Sequence, residues 1–347
     1  MGILIDIVLL AFGLFLLIKG SDIFVDAGTA IGKIFKMSEV LIGLTIVCIG
    51  TGLPELVLSI AGSINRNSNL VIGNIVGSNL FNICIILGTI CVINPLKLLK
   101  QTVRKDIHMS LLASIALLVL LLDNIQNLSI VNSISGTDGI ILLLFFCVFI
   151  YYTFYEITGY LRDKREKKYL QKKEKTNGEN TNLKESDSNK IYTKKDMKLL
   201  FKNIFIAIIG ITMVHIGAQL TINSTVEIAS FFKVSETFIS IIVIAVGTSL
   251  PELTTSFAAL KKNRVNIAIG NLIGSNMFNT LCVLGTSALI NPIVLEGSYL
   301  LIDCAVFILV CLVLVIFTKR KPELSKIEGF SLISIYILYI VYVIYRR

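Results

Sequence analysis

Glu55 and Glu252 stand inside long apolar runs, in the motifs GTGLPE and GTSLPE. An unpaired carboxylate at membrane depth costs about 3 kcal/mol or more, so each glutamate is a candidate functional group. A protonated glutamate, hydrogen-bonded within a helix bundle, is the alternative reading. Pro54 and Pro251 immediately precede them. A proline inside a helix removes one N–H and clashes with the carbonyl one turn back. Here those carbonyls belong to Gly50 and Gly247. Carbonyls freed in this way can face a cavity and bind a cation; the alternative is that the prolines only kink their helices. The neighbouring glycines ease local unwinding.

A second motif follows each glutamate, GNIVGSNLFN after Glu55 and GNLIGSNMFN after Glu252. Asn74, Ser78 and Asn82 are spaced i, i+4, i+8 and share one helix face, and Asn271, Ser275 and Asn279 repeat that stripe. Gly73 with Gly77, and Gly270 with Gly274, form small-xxx-small pairs that permit close helix approach. The face divides, with Ser78 and Asn82 toward an ion, and Asn74 and Asn79 toward interhelical packing. The combined inventory is carboxylates, hydroxyls, amide oxygens and backbone carbonyls, without His, Cys or Met side chains. Such all-oxygen sets suit hard cations such as Ca²⁺ or Na⁺, whereas transition metals favour imidazole or thiolate. The paired carboxylates supply a charge matching one Ca²⁺ or a pair of Na⁺. Competition for that charge is a physical route to antiport.

The two motif pairs are copies of each other. Ile49–Thr89 and Val246–Thr286 align without a gap at a constant offset of 197 positions. That offset pairs Thr51 with Thr248, Glu55 with Glu252, Asn74 with Asn271, Ser78 with Ser275 and Asn82 with Asn279. It also pairs Gly20-Ser21-Asp22 with Gly217-Ala218-Gln219. Packing alone would preserve apolar residues, but the matched positions are Thr, Pro, Glu, Asn and Ser.

The elements that must position these residues are membrane spans. Of 347 residues, 54% are apolar and 16% charged, against about 25% charged in a soluble domain. Much of the charge sits in Arg162–Lys202, and runs such as Leu111–Leu122, Ile140–Tyr155, Ile204–Ile216 and Leu300–Phe317 separate the rest. With their flanks many reach the roughly 20 residues that cross a bilayer. The pattern predicts ten spans, near 3–34, 38–64, 68–93, 104–122, 136–160, 199–232, 235–261, 265–290, 298–318 and 326–345. The first and sixth exceed one bilayer thickness and should tilt. Gly2–Ile18 lacks a basic n-region and a cleavage site, so it reads as the start of the first span. The seven cysteines all lie in apolar segments without a CxxC or Cys/His pattern, and read as packing groups.

Lys and Arg set the orientation. With the N-terminus outside, the inner loops hold Lys33 and Lys36; Lys97, Lys100, Arg104 and Lys105; Arg162–Lys202; Lys261, Lys262 and Arg264; and Lys319, Arg320, Lys321 and Lys326. The outer side keeps Arg66, Lys233, Arg346 and Arg347. The net charge of +9 thus reports topology and not nucleic-acid binding. Five spans per half is odd, so the second copy enters the membrane in the opposite direction. That is an inverted-topology repeat, with an ion site near the midplane between the halves. The expected fold is an all-α membrane protein of ten transmembrane helices in two inverted five-helix repeats. Residues 1–161 form the first half, with its repeat at about 38–93. Residues 162–198 form a cytoplasmic linker that is disordered by composition. Residues 199–347 form the second half, with its repeat at about 235–290. The expected location is the plasma membrane, both termini outside.

GTGLPE with GNIVGSNLFN, and GTSLPE with GNLIGSNMFN, resemble the two alpha repeats of the calcium/cation antiporter superfamily, in its prokaryotic sodium/calcium exchanger branch. The resemblance covers essentially the whole chain. It implies that Glu55 and Glu252 are the central calcium ligands. It implies that Thr51, Thr248, Ser249, Ser78 and Ser275 face the ions; the polar stripe and its repeat add Asn82 and Asn279 to the set. It implies that the carbonyls of Cys48 and Ala245 serve sodium sites, and that the long first and sixth spans slide to alternate access. Where many members have GTS in both copies, this chain has Gly52 in the first, one hydroxyl fewer, which bears on a sodium site or the stoichiometry. Asn279 stands where potassium-dependent relatives typically have Asp, which leans against potassium dependence. The linker is too short for the folded calcium-sensing domains of larger relatives.

The leading expectation is therefore antiport of Na⁺ for Ca²⁺, with these ions and the lipid bilayer as the partners. No cofactor, nucleic acid or obligatory protein partner is expected. Proton/calcium antiport is the first alternative, since both glutamates can exchange protons, and a passive cation channel is the second. An enzyme has no support, because no nucleophile–base pair, Cys/His metal site or nucleotide loop is present. Two further residues carry open readings. Lys19 and Asp22 line the ion path, pair at i, i+3 or snorkel. His215 senses protons or packs at a helix interface.

Overall fold

The structure is a computed structural model that describes residues 2–99, 102–122, 133–175, 194–232, 246–294 and 299–345. Helix α1 covers Gly2–Ile34, α2 Glu39–Thr51 and α3 Leu53–Ile64; α2 and α3 meet at a bend of 46°. Helix α4 covers Ser68–Ile93, α5 Ile107–Leu122, α6 Gly136–Lys175 and α7 Lys194–Phe231. Helix α8 covers Leu250–Lys261, α9 Val265–Ile290, α10 Tyr299–Arg320 and α11 Lys326–Tyr345. Among the described residues, 7 helices are long and apolar enough to cross a membrane, or up to 8 with the bent α2–α3 pair. The fourth expected span appears as a shorter apolar helix over Ile107–Leu121. Of the seventh, only residues 246–261 are described.

The helices differ sharply in burial. In the most apolar stretch of α9, 94% of residues are buried, and in α4 78%, against 17% in α1. The two helices that carry the Gly-Asn-Ser motifs are therefore the centre of the bundle. Helix α1 faces outward except along one side, where it packs against α7 through glycines. A Cβ added to Gly217 would stand 2.7 Å from the Gly13 carbonyl oxygen, and one on Gly20 2.8 Å from that of Gly210. Side chains at this crossing would force the backbones apart.

Two short ladders tie the halves together. Strand β1 (Leu96–Lys97) pairs antiparallel with β4 (Glu323–Leu324), and β2 (Ser133–Ile134) with β3 (Ile293–Val294). Their apolar members Leu96, Leu324, Ile134 and Ile293 are buried. Backbone N–H and C=O groups carried inward with such side chains must be paired, and a ladder does that. These strands are the departure from an all-α expectation.

Helix α6 runs on into the residues read as the linker. It continues to Lys175, through the first part of the stretch that composition assigns to a disordered connector, and α7 begins at Lys194. The extension LRDKREKKYLQKKEK consists largely of Leu, Arg, Lys, Glu and Gln, all good helix formers. Polarity excludes a buried core there; it does not exclude a helix that continues from a membrane span.

Candidate cation site

Each glutamate sits just past a break in its helix. Gly52 (φ −80°, ψ 0°) separates α2 from α3, and Ser249 (φ −90°, ψ 4°) precedes α8. Pro54 and Pro251 take early positions in the new helices, where a missing N–H costs nothing. The new helices close their first turns identically: Leu56 N donates to Gly52 O (3.1 Å) and Leu253 N to Ser249 O (3.0 Å). Glu55 and Glu252 then lie in the first turn, where the helix dipole favours an anion.

Both glutamates are fully buried, and among the described residues none of their carboxylate oxygens has a hydrogen-bond partner. Buried like charges without compensation are costly, so the arrangement calls for cations or protons to neutralise it.

Threonines and amides from opposite copies interlock around them. Thr51 Oγ1 donates to Asn271 Oδ1 at 3.2 Å, and Thr248 Oγ1 donates to Asn74 Oδ1 at 3.1 Å. Each amide is fixed in turn by a serine of its own copy: Asn74 Nδ2 donates to Ser59 Oγ and Asn271 Nδ2 to Ser256 Oγ, both at 3.0 Å. Thr248 stands beside Glu55, and Thr51 and Ser275 beside Glu252, without a hydrogen bond of ordinary geometry to either carboxylate. Each glutamate thus meets the threonine of the other copy. Ser78 Oγ lies 3.0 Å from Thr248 Oγ1. Since Thr248 donates to Asn74, Ser78 is the donor of that pair. The hydroxyls of Ser249 and Ser275 are buried and have no partner among the described residues.

Asn82 and Asn279 sit in π-helical turns, Phe81–Leu87 of α4 and Phe278–Val283 of α9. Such turns interrupt the i, i+4 spacing and recur at functional sites. Both residues are buried, and among the described residues neither Oδ1 has a partner. The Cys48 carbonyl already accepts Gly52 N at 2.9 Å and lies 3.4 Å from Thr51 Oγ1, so a cation would have to share it. Ala245 lies outside the described residues. The structure thus brings together Glu55 with Thr248 and Ser78, and Glu252 with Thr51 and Ser275.

A cleft of about 440 Å³ runs beside Pro54, Thr248 and Pro251, with His215 and Gln219 of α7 on its far wall. In the C-terminal half of α1, Asp22 and Asp26 meet Lys262, at 3.7 and 2.7 Å, and Asp26 also meets Arg264 at 3.3 Å. Of the three readings open for Lys19 and Asp22, the mutual pair is not the one formed: Asp22 meets Lys262, brought over from the far copy, and Lys19 is exposed. Sequence reasoning missed Ser59 and Ser256, although the constant offset pairs them too.

Three comparisons bear on this arrangement. A family model described as sodium/calcium exchanger protein matches residues 5–155 and 202–345. The chain is 31% identical over 343 residues to sodium/calcium exchanger MaX1 of Methanosarcina acetivorans, covering 96% of this chain and 97% of that one. It is 28% identical over 331 residues to inner membrane protein YrbG of Escherichia coli, covering 95% and 94%. Its fold matches a solved structure of the sodium-calcium exchanger NCX_Mj, soaked with 2.5 mM Na⁺ and 10 mM Sr²⁺, at a TM-score of 0.76 and 27% identity, covering 98% of this chain and 99% of that one. With both motif copies folded around the buried glutamates, and with the match spanning both halves, the chain is a multi-pass integral membrane protein that belongs to the sodium/calcium exchanger protein family.

Proposed function

We propose that the protein exchanges Na⁺ for Ca²⁺ by alternating access, with the ions held between the two motif copies by Glu55 and Glu252. One observation carries this reading. Buried oxygens without a partner among the described residues gather in the two copies: both carboxylates, Ser249 and Ser275 Oγ, and Asn82 and Asn279 Oδ1. Native interiors rarely leave such groups unpaired, and the exceptions call for a ligand. An all-oxygen set with two carboxylates matches a hard divalent cation or Na⁺ in its place. Thr51, Thr248 and Ser78 complete the set, with the carbonyls of Cys48 and Ala245 serving Na⁺.

The architecture proposed around this site is ten spans in two inverted halves, 1–161 and 199–347, joined by a cytoplasmic connector at 162–198. Both termini lie outside, in a plasma membrane. The α1–α7 pair, closely packed on itself through Gly13, Gly20, Gly210 and Gly217, moves as a unit against the rest of the bundle. The cleft beside Thr248 gives the ions access.

The test is ⁴⁵Ca²⁺ uptake into proteoliposomes loaded with Na⁺, against K⁺ or choline controls at matched pH. Uptake only with an outward Na⁺ gradient is the expected result. Uptake that ignores Na⁺ and follows a pH gradient would replace sodium by protons as the counter-ion.

A further inference from the structure

An amide offers an acceptor at one end and donors at the other, and only the oxygen end can bind a cation. Asn82 and Asn279 both turn their nitrogens outward into hydrogen bonds and leave their oxygens free. The residues that impose this are the other asparagines of the same motifs.

In the first chain of bonds, Asn276 Nδ2 donates to the backbone carbonyl of Asn79 at 3.3 Å. A main-chain carbonyl only accepts, so the Asn276 amide has one permitted orientation. Its Oδ1 is left to accept from Asn82 Nδ2, at 3.1 Å. The Asn82 oxygen must then point the other way. In the second chain, Asn279 Nδ2 donates to Asn79 Oδ1 at 3.2 Å, and Asn79 Nδ2 donates to Thr280 Oγ1 at 2.9 Å. This chain ends on a hydroxyl, which can accept or donate. The counterpart of Thr280 at the constant offset is Ile83, so the two chains are anchored differently.

We infer that Asn79 and Asn276 are positioning residues that hold the amides of Asn82 and Asn279 with their oxygens toward the transported cation. The first chain, anchored on backbone, fixes Asn82 more firmly than the second fixes Asn279. This rests on the proposal that Asn82 and Asn279 face the cation.

The experiment is initial-rate ⁴⁵Ca²⁺ uptake into Na⁺-loaded proteoliposomes as a function of external Ca²⁺, for purified variants with a monodisperse size-exclusion profile. Asn276→Leu removes both bonds at similar volume and raises the KM for Ca²⁺ by ~5–10-fold, with the maximal rate within about 2-fold of the parent. Asn82→Leu gives a similar rise. The double variant is no worse than either single one, because both remove the same oxygen from the ion. Thr280→Val raises KM by ~2–3-fold and Thr280→Ser restores it, which also decides the matter if Asn276→Leu does not fold. Multiplying KM effects in the double variant, or a fall in maximal rate at unchanged KM, would overturn the positioning role. Glu252→Gln separates the two proposals. If it transports normally, the site reading falls and the positioning role with it. If it is inactive while the asparagine effects multiply, only the positioning role falls.

Discussion

At the helix breaks, the two motif copies share geometry but not chemistry. Gly52 and Ser249 have nearly the same backbone angles, and each accepts the same helix-starting hydrogen bond. Ser249 presents a buried, unpartnered hydroxyl, whereas Gly52 presents none. The gap is not empty. A Cβ at Gly52 would stand 2.8 Å from Phe278 Cδ1 and 3.0 Å from the Cys48 carbonyl oxygen. Phe278 is itself packed edge-on against Phe146, with ring centroids 5.8 Å apart. The first copy has therefore exchanged a potential ligand for an aromatic contact. Likewise Ser78 bonds Thr248, while Ser275 has no partner. Symmetric backbone thus supports an asymmetric oxygen set, richer in unpaired hydroxyls in the second copy.

The strongest way to break that comparison is to neutralise each glutamate in turn. Glu55→Gln and Glu252→Gln each remove about 3–5 kcal/mol of charge pairing with a bound cation, a loss of ~100-fold or more. Sodium-driven ⁴⁵Ca²⁺ uptake should disappear equally in both, with the protein still inserted and folded. Full transport by a well-folded Glu252→Gln protein would sink the site assignment. Strongly unequal losses would show that the asymmetry reaches the carboxylates themselves.

Exchanging the residues at the break sharpens it. Ser249→Gly makes the second copy resemble the first and should weaken apparent Na⁺ affinity by ~5–10-fold, read from the Na⁺ dependence of Ca²⁺ efflux. The reverse change, Gly52→Ser, should not add a ligand. It overpacks the Phe278 contact and should cost about 1–3 kcal/mol of stability, visible as a lower Tm in detergent. Trimming the ring in Gly52→Ser/Phe278→Leu should recover part of that loss. A stable Gly52→Ser protein with altered sodium dependence would show that the ring yields.

The smallest expected effect lies at Asp26 in the C-terminal half of α1. Asp26 is 59% exposed on its side chain, and its pairs with Lys262 and Arg264 are open to solvent. Asp26→Asn should change stability by no more than about 1 kcal/mol, and high salt should erase the difference. Thermal unfolding at low and high ionic strength checks this. A large, salt-insensitive loss would instead mark the cluster as a structural anchor between the copies.

Much of this molecule was legible in one dimension. The repeat, its constant offset, the proline-glutamate break and the hairpin are local patterns of residue type, and side-chain chemistry alone pointed to hard cations. The family followed from the same motifs. Only tertiary structure decided the pairings across the copies. Thr51 reaches Asn271 and Thr248 reaches Asn74, contacts separated by 220 and 174 positions. The stripe Asn74, Ser78, Asn82 placed three residues on one face but did not say which hold threonines, which meet a partner's amide, and which keep an oxygen free. Asp22 found its partner in Lys262 and not in a neighbour on its own helix. Periodicity reports which residues share a face. Which groups on two faces meet depends on how closely the glycine-lined helices pack and where their π turns fall, and no local pattern carries that.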